Sequence, residues 1–149
     1  MSGERDETPT PVPPTEWQAG TELPTVTVTP DRYVPVRYAG ASGDFNPIHV
    51  DDEFARRVGL PGRILHGLWT MAQVARAQTE AIGGPDAPAA LRSLSVEFRG
   101  MAVPDEEIAV TSTVERVEEG VAIVKTTARQ SGSRVVRNGR AELRLPDPS

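Results

Sequence analysis

The chain has 149 residues, 38% of them hydrophobic and 25% charged, a composition typical of one soluble globular domain. A formal net charge of −5 gives no support to a nucleic-acid partner, and the lack of cysteine excludes disulfides, thiolate catalysis and Cys-ligated zinc. The sequence contains neither an apolar run of the ~20 residues that span a membrane nor a signal-peptide core, so we expect a cytoplasmic protein without a membrane partner.

The N-terminal part of the sequence is charged and rich in proline. Such a composition cannot bury enough apolar surface to offset the entropy of ordering. We therefore expect a disordered tail over residues 1–15, a single domain over residues 16–146 and a short tail at 147–149. At the start of the domain, alternating threonine and valine between two prolines predict a short strand over residues 23–30.

A stretch of turn-forming residues follows this first strand. Residues 31–49 contain Pro35, two glycines and an Asn-Pro step, and this pattern predicts mostly loop. Residues 50–59 then predict a short helix, for which Asp51 or Asp52 supplies the N-cap.

Residues 62–84 carry the strongest helical signal of the chain. Apolar and small residues recur at steps of three and four, at Leu65, Leu68, Ala72, Ala75, Thr79 and Ile82. Trp69, Met71 and Val74 lie off this stripe, so the first half of the helix is apolar nearly all round and we expect it to be buried. Gly83 and the residues after it end the helix.

The rest of the chain predicts antiparallel strands with one polar face and short turns between them. The strand patterns cover residues 91–100, 107–117, 121–130 and 139–145. One long helix with a strand before it and four after it predicts an α+β fold in which the sheet wraps the helix.

The segment "GDFNPIH", residues 43–49, carries the candidate chemistry. Gly43 permits a backbone geometry that other residues resist, and Pro47 fixes its own φ and restricts Asn46, so the segment can hold the Asp44 carboxylate and the His49 imidazole at a fixed separation. Such a pair can bind one water molecule between its members, and histidine can take up a proton near neutral pH. The amide of Asn46 could orient one of the two.

The residue types alone leave other interpretations of this segment open. Asp and Asn beside Gly and Pro commonly form turns, and a loop histidine is commonly a hydrogen-bonded structural residue. Asp44, His49 and His66 could also form a two-His-one-carboxylate metal site, but their spacing matches no standard metal signature.

His66 and Gly67 open the long helix. The first N–H groups of a helix have no intrahelical acceptor, and the helix dipole there favours negative charge. A carbonyl oxygen that becomes an enolate could bind at the Gly67 N–H, or the glycine could serve only close packing. Thr70 and Gln73 are polar on this apolar helix and could line a pocket or bond to the backbone.

Residues 38–55, "YAGASGDFNPIHVDDEFA", and 62–68, "GRILHGL", resemble the MaoC-like family of R-specific enoyl-thioester hydratases and dehydratases, and the resemblance spans roughly residues 17–146. It implies a hot-dog fold, a long central helix wrapped by an antiparallel sheet. It also implies that Asp44 and His49 form the catalytic dyad, that Asn46 supports the dyad and that the Gly67 N–H is the oxyanion-hole donor. No cofactor or metal is implied.

The reaction implied by the resemblance is addition of water to a trans-2-enoyl thioester of coenzyme A or acyl-carrier protein, giving the (R)-3-hydroxyacyl thioester. We expect residues around the dyad to contact this substrate, namely Tyr38, Ser42, Phe45, His66, Thr70 and Arg63. Many relatives have a helix between the first strand and the dyad motif, and here prolines interrupt that stretch.

Two alternative functions remain open, and we also expect the chain to assemble as a dimer. The chain could be an acyl-binding subunit of a heterodimeric dehydratase, although such subunits generally lack the Asp or the His. It could instead be a hot-dog thioesterase, which needs an acid on the central helix, where only Glu80 is available. An exposed sheet edge and the family resemblance predict a homodimer, with a heterodimer as the alternative.

Overall fold

The computed structural model describes residues 11–147 of the chain. Its strands are β1 (Val26–Val28), β2 (Leu91–Phe98), β3 (Ile108–Glu118), β4 (Val121–Gln130) and β5 (Ser133–Arg144), and its helices are α1 (Val34–Ser42), α2 (Pro47–Val50), α3 (Asp52–Arg57), α4 (Gly67–Ile82) and α5 (Ala87–Ala90). The α+β class is therefore confirmed.

All five strands form one antiparallel sheet in the order β1-β3-β4-β5-β2. Both central hairpins turn through two residues with positive φ, Glu119-Gly120 and Ser131-Gly132. This geometry matches the right-handed twist of paired strands. The turns confirm the predicted strand breaks, but β5 begins six residues earlier than predicted because Val135 and Val136 are also buried in the sheet.

Helix α4 lies across the sheet and contacts β2, β3, β4 and β5. The residues that it buries are Thr70, Val74, Ala77 and Gln78. The predicted stripe was therefore wrong, since Leu68 is 64% exposed and Ala72 is exposed too. The reason is that the sheet covers only one side of α4, so an apolar composition all round does not bury all of it.

The segment between β1 and the dyad motif is helical, which corrects the prediction of loop. Pro35 lies in the first turn of α1, where a missing N–H costs no hydrogen bond and the fixed φ suits a helix. Pro47 opens α2 in the same way. The prolines thus start helices here, and the expected departure from relatives that have a helix in this stretch was wrong.

Part of the expected N-terminal tail lies outside the described residues, as do residues 148–149. Within the described part, Pro14–Glu16 form a single 3-10 turn, and the buried Trp17 donates its indole N–H to the Val12 carbonyl at 3.0 Å. The domain boundaries remain a prediction. Among residues 11–147, no helix is long and apolar enough to cross a bilayer.

Candidate active site

The turn after α1 fixes the backbone of Asp44. Helix α1 ends at Ser42 and is capped by Gly43, whose φ of 78° is one that glycine adopts without strain and whose N–H donates to the Ala39 carbonyl. The Asp44 N–H donates to the Ser42 hydroxyl at 3.1 Å. Hydrogen bonds therefore fix the backbone at Asp44, although 53% of the Asp44 side chain is exposed.

Asn46 connects the two members of the dyad. Its backbone N–H donates to the Asp44 carboxylate at 3.2 Å, and its side-chain oxygen accepts the Ile48 N–H as the N-cap of α2. His49 lies on this short helix, not in the predicted loop, and only 7% of it is exposed. Asn46 thus orients the carboxylate and starts the helix that carries the imidazole.

The hydrogen bonds of His49 define which ring nitrogen is free. Nδ1 lies 2.8 Å from the Ile64 carbonyl, and because a carbonyl only accepts, Nδ1 carries the proton in the neutral ring. Nε2 then presents a lone pair 3.9 Å from Oδ2 of Asp44. That distance is too long for a direct hydrogen bond but allows one water molecule to bond to both groups.

Gly67 is the first residue of α4, so its N–H has no intrahelical acceptor. It lies with His49 in a cavity of about 180 Å³. The remaining residues that line this cavity are Ile64, Leu65, Thr70, Phe98, Gly100, Met101, Ala102 and Val135. A base and an N–H at a positive helix end therefore line one small, mostly apolar space, and the Asp44 carboxylate lies 3.9 Å from the base.

Of the expected substrate contacts, only Thr70 lines this cavity, while Phe45 and Ser42 are chain neighbours of Asp44. Thr70 is buried on α4 and lines it, and Phe45 is 60% exposed next to Asp44. Ser42 uses its hydroxyl as the acceptor of the Asp44 N–H, which gives it a structural contact. Their contacts with substrate remain predictions.

The other three expected contacts are held by protein groups. Tyr38 packs its ring at 4.6 Å from that of His66, and His66 is only 2% exposed and is not among the residues that line the cavity. Arg63 pairs with Asp52 at 3.4 Å. The Arg63 backbone N–H is the main cause that lowers the pKa of Asp52, and the Arg63 and Arg56 charges act in the same direction.

The geometry of the two histidines disfavours a shared metal ion. Asp44, His49 and His66 do offer ligand atoms within 4.8 Å of one another. The two imidazole rings, however, stack with an angle of 23° between their planes, so their in-plane lone pairs run side by side and do not converge. Nε2 of His66 is also bonded to the Asp44 carbonyl.

Two participants in the site were not predicted from the sequence. The Ile64 carbonyl orients His49, and no side-chain pattern reveals a main-chain group. Phe98 ends β2, and its ring lies so close to Gly67 that a Cβ there would be 3.3 Å from it. The alternation of Leu94, Val96 and Phe98 placed Phe98 on the apolar face of its strand, and this was the only available signal.

A larger open cleft of about 660 Å³ lies at the far end of α4. It is lined by Arg92 and Arg144 among mainly apolar residues, and the titratable side chains that face it include Asp86 but no histidine. The smaller cavity beside His49 is therefore the better candidate for acid–base chemistry.

The profile of the family described as MaoC like domain matches residues 15–135, so the chain belongs to this family. It is 37% identical over 107 residues to fatty acid synthase subunit beta of Aspergillus oryzae, covering 71% of this chain and 5% of that protein. It is 33% identical over 103 residues to the peroxisomal enoyl-CoA hydratase 2 of Arabidopsis thaliana, covering 69% of this chain and 32% of that enzyme. The chain thus spans a small part of these relatives.

A solved structure described as a MaoC-like dehydratase superposes with a TM-score of 0.83 and 28% identity, covering 90% of this chain and 42% of the other. This likeness confirms the expected hot-dog fold.

Proposed function

We propose that this member of the MaoC-like domain family catalyses reversible addition of water to a trans-2-enoyl thioester, giving the (R)-3-hydroxyacyl thioester. The observation that carries the proposal is the separation of 3.9 Å between the Asp44 carboxylate and an unprotonated His49 Nε2. A water molecule between these groups would lie beside the cavity that also holds the first N–H of α4.

In the proposed step the thioester carbonyl accepts the Gly67 N–H, and the Asp44–His49 pair removes one proton from water. The water oxygen then bonds to C3, and the electrons of the C2–C3 double bond move onto the carbonyl oxygen as an enolate. The helix N-terminus stabilises this negative charge. The pair returns its proton to C2 as the carbonyl reforms, so the dyad ends in its starting state and acts as one coupled acid–base system.

Hydration of crotonyl-CoA, followed as loss of enoyl-thioester absorbance, tests the proposal. We expect turnover that requires no added metal or cofactor, and chiral chromatography of the product should show the (R) isomer. Hydration to the (S) isomer, or no hydration of crotonyl-CoA and longer enoyl-CoA esters, would reject the proposal as stated.

The two alternatives are less well supported by the site. An acyl-binding subunit without turnover has no need for a placed dyad, yet both members are present here and held by hydrogen bonds. A thioesterase would need an acid on α4 near the scissile carbonyl. Glu80 is exposed and paired with Arg76 at 2.9 Å, and it follows Gly67 by enough residues to lie roughly 20 Å along the helix.

A cleft of about 410 Å³ supports a subsite for the phosphates of the thioester carrier. Arg32, Arg56 and Arg63 line it, while Asp52 and Asp105 also face it and reduce its net charge. Its lining residues Arg63 and Val103 are chain neighbours of Ile64 and Ala102, which line the active-site cavity. Guanidinium groups bind phosphate oxygens well, so the same cleft suits coenzyme A or a carrier-bound phosphopantetheine.

Replacement of Arg56 by Gln should raise KM for crotonyl-CoA but leave KM for crotonyl-pantetheine, which lacks phosphate, unchanged. Arg57→Gln is the matched control, since Arg57 is the next residue of α3, lies over the Phe54 ring and is not among the residues that line the cleft. Equal KM changes for both substrates would contradict a phosphate subsite.

The open edge of the sheet supports a homodimer. Among residues 11–147, β2 pairs only with β5, so its eight residues leave one edge free for another chain. Pairing of two β2 edges about a two-fold axis would cover both edges at once. Light scattering on the purified chain should give twice 16.0 kDa; an active monomer would reject edge pairing, and an inactive chain rescued by a related partner would favour the heterodimer.

A further inference from the structure

His66 is a buried polar residue for which the proposed chemistry has no use. It is only 2% exposed and lies directly before the oxyanion glycine, yet it is not among the residues that line the cavity. It is the N-cap residue of α4 but makes no side-chain capping bond. A buried imidazole that neither caps its helix nor faces the cavity requires another explanation.

The contacts of His66 reach both members of the dyad. Its Nε2 lies 2.9 Å from the main-chain carbonyl of Asp44, and its ring stacks on that of His49 with 3.8 Å between centroids. Tyr38 contacts the same ring, with 4.6 Å between centroids and a tilt of 49°. Tyr38, His66 and His49 therefore form a stack that ties α1 and the start of α4 to the catalytic helix α2.

These contacts define opposite tautomers for the only two histidines of the chain. The Asp44 carbonyl can only accept, so neutral His66 carries its proton on Nε2, while His49 carries its proton on Nδ1 for the Ile64 carbonyl. Nδ1 of His66 is then an unprotonated acceptor, and it is buried without a hydrogen-bond partner among the described residues.

We propose that His66 is a positioning residue that sets the separation and orientation of Asp44 and His49 through its Nε2–H bond and its ring stack. The Ile64 carbonyl fixes where His49 Nδ1 points, and the stacked ring fixes the plane of the imidazole. Together they direct Nε2 at the water site, while the bond to the Asp44 carbonyl holds the opposite side of that site. The catalytic consequence rests on the proposed hydratase function, but the tautomers and the geometry do not.

Two variants separate the two contacts of His66. His66→Gln retains an N–H that reaches the Asp44 carbonyl but loses the stacked ring, and His66→Phe retains the ring but loses the donor. Neither removes a capping bond from α4, because the histidine makes none. Thermal melting should confirm that each variant folds before its kinetics are compared.

We expect each variant to lower kcat for crotonyl-CoA by about 10²-fold, the size of effect that a misplacement of roughly 1 Å produces. KM should change less than about twofold, because the side chain does not face the cavity. His66→Ala, which loses both contacts, should be slower than either. Unchanged kcat in both folded variants would overturn the positioning role, and a rise in KM alone would show that His66 contacts substrate instead.

Long-range proton–nitrogen correlation NMR provides a test independent of activity. At about pH 8, where histidine is ordinarily neutral, the wild-type spectrum should show one Nδ1–H and one Nε2–H tautomer. The Nε2–H signal should disappear in His66→Phe. Two identical tautomers would refute the proposed arrangement even in an active enzyme, whereas the expected pair in a protein without hydratase activity would reject the proposed function and leave the positioning geometry standing.

Discussion

Replacement of Gly67 by proline removes one N–H from the proposed oxyanion site and leaves the helix intact. Gly67 is the first residue of α4, the position at which proline is most readily accepted in a helix. The residue before a proline must be extended, and His66 already has φ −64° and ψ 134°. The backbone around the substitution therefore needs no rearrangement.

Any side chain at position 67 contacts the Phe98 ring, and this steric effect on activity must be separated from the effect of losing the N–H. A Cβ at position 67 would lie 3.3 Å from two atoms of the Phe98 ring, closer than ordinary contact, so the half-exposed ring must shift slightly. Gly67→Ala adds the same Cβ and keeps the N–H. The comparison of Pro with Ala at this position therefore removes the cost of the Cβ from the effect of losing the N–H, and the ring carbons Cγ and Cδ are the one other difference.

Loss of one oxyanion donor costs about 2.7–4 kcal/mol, or about 10²–10³-fold in kcat. We expect Gly67→Pro to be slower than Gly67→Ala by this factor in hydration of crotonyl-CoA, with similar melting temperatures. Phe98→Ala in the same background should restore part of any activity that Gly67→Ala loses. Equal rates for the proline and alanine variants would show that the oxyanion donor is not the Gly67 N–H.

Other substitutions test the dyad and its supports. Asp44→Asn and His49→Gln should each lower kcat by about 10²–10⁴-fold. The double variant should be little slower than either single variant, because both side chains act on one water molecule. Additive losses of activation free energy would contradict a shared water. Asn46→Ala should remove the N-cap of α2, costing about 1 kcal/mol in urea unfolding, and lower kcat, while Asn46→Ser should restore the stability. The pKa of Asp52 is lowered in the folded protein, chiefly by the hydrogen bond from the Arg63 N–H. The Asp52 contribution to folding stability is therefore fully present above the ordinary pKa of the carboxyl group, 3.8, and it is lost as the pH falls through the lower pKa of the folded state. Asp52→Asn should therefore be less stable than wild type in urea at pH 7, and the difference should shrink below about pH 4; a difference independent of pH would show that the charge is not involved.

The sequence indicated which residues make up the proposed site better than it indicated the shape of that site. Asp44 and His49 are five positions apart in a segment that Gly43 allows to turn and Pro47 restricts, so their proximity followed from local chain geometry. The start of α4 at Gly67 followed from the helical pattern, and the structure confirms it. Only the fold, however, brings that helix end to the dyad, because the two are separated by α3 and a loop.

The wrong predictions were made from the residue pattern alone, without regard to where each residue lies relative to the start of its helix. Pro35 was interpreted as a helix breaker, but proline breaks a helix only where an interior N–H is needed, and Pro35 lies in the first turn of α1. The apolar stripe of α4 was assigned from Leu65, which lies before the helix begins. The start of α4 itself was located correctly, but which side of that helix meets the sheet is a tertiary property that the local pattern does not carry.

Main-chain carbonyls explain why the fine geometry of the site was not accessible from the sequence. His49 is oriented by the Ile64 carbonyl and His66 by the Asp44 carbonyl, and every residue type carries such a group. Side-chain identities therefore point to the proposed catalytic groups, while the path of the backbone selects the tautomer of each histidine. Substitutions at Ile64 should accordingly affect catalysis only as far as they move its carbonyl, so an aliphatic replacement such as Ile64→Val should keep kcat close to wild type. A large loss of kcat in that variant, with the same melting temperature, would mean that the Ile64 side chain contributes to the cavity beyond filling it.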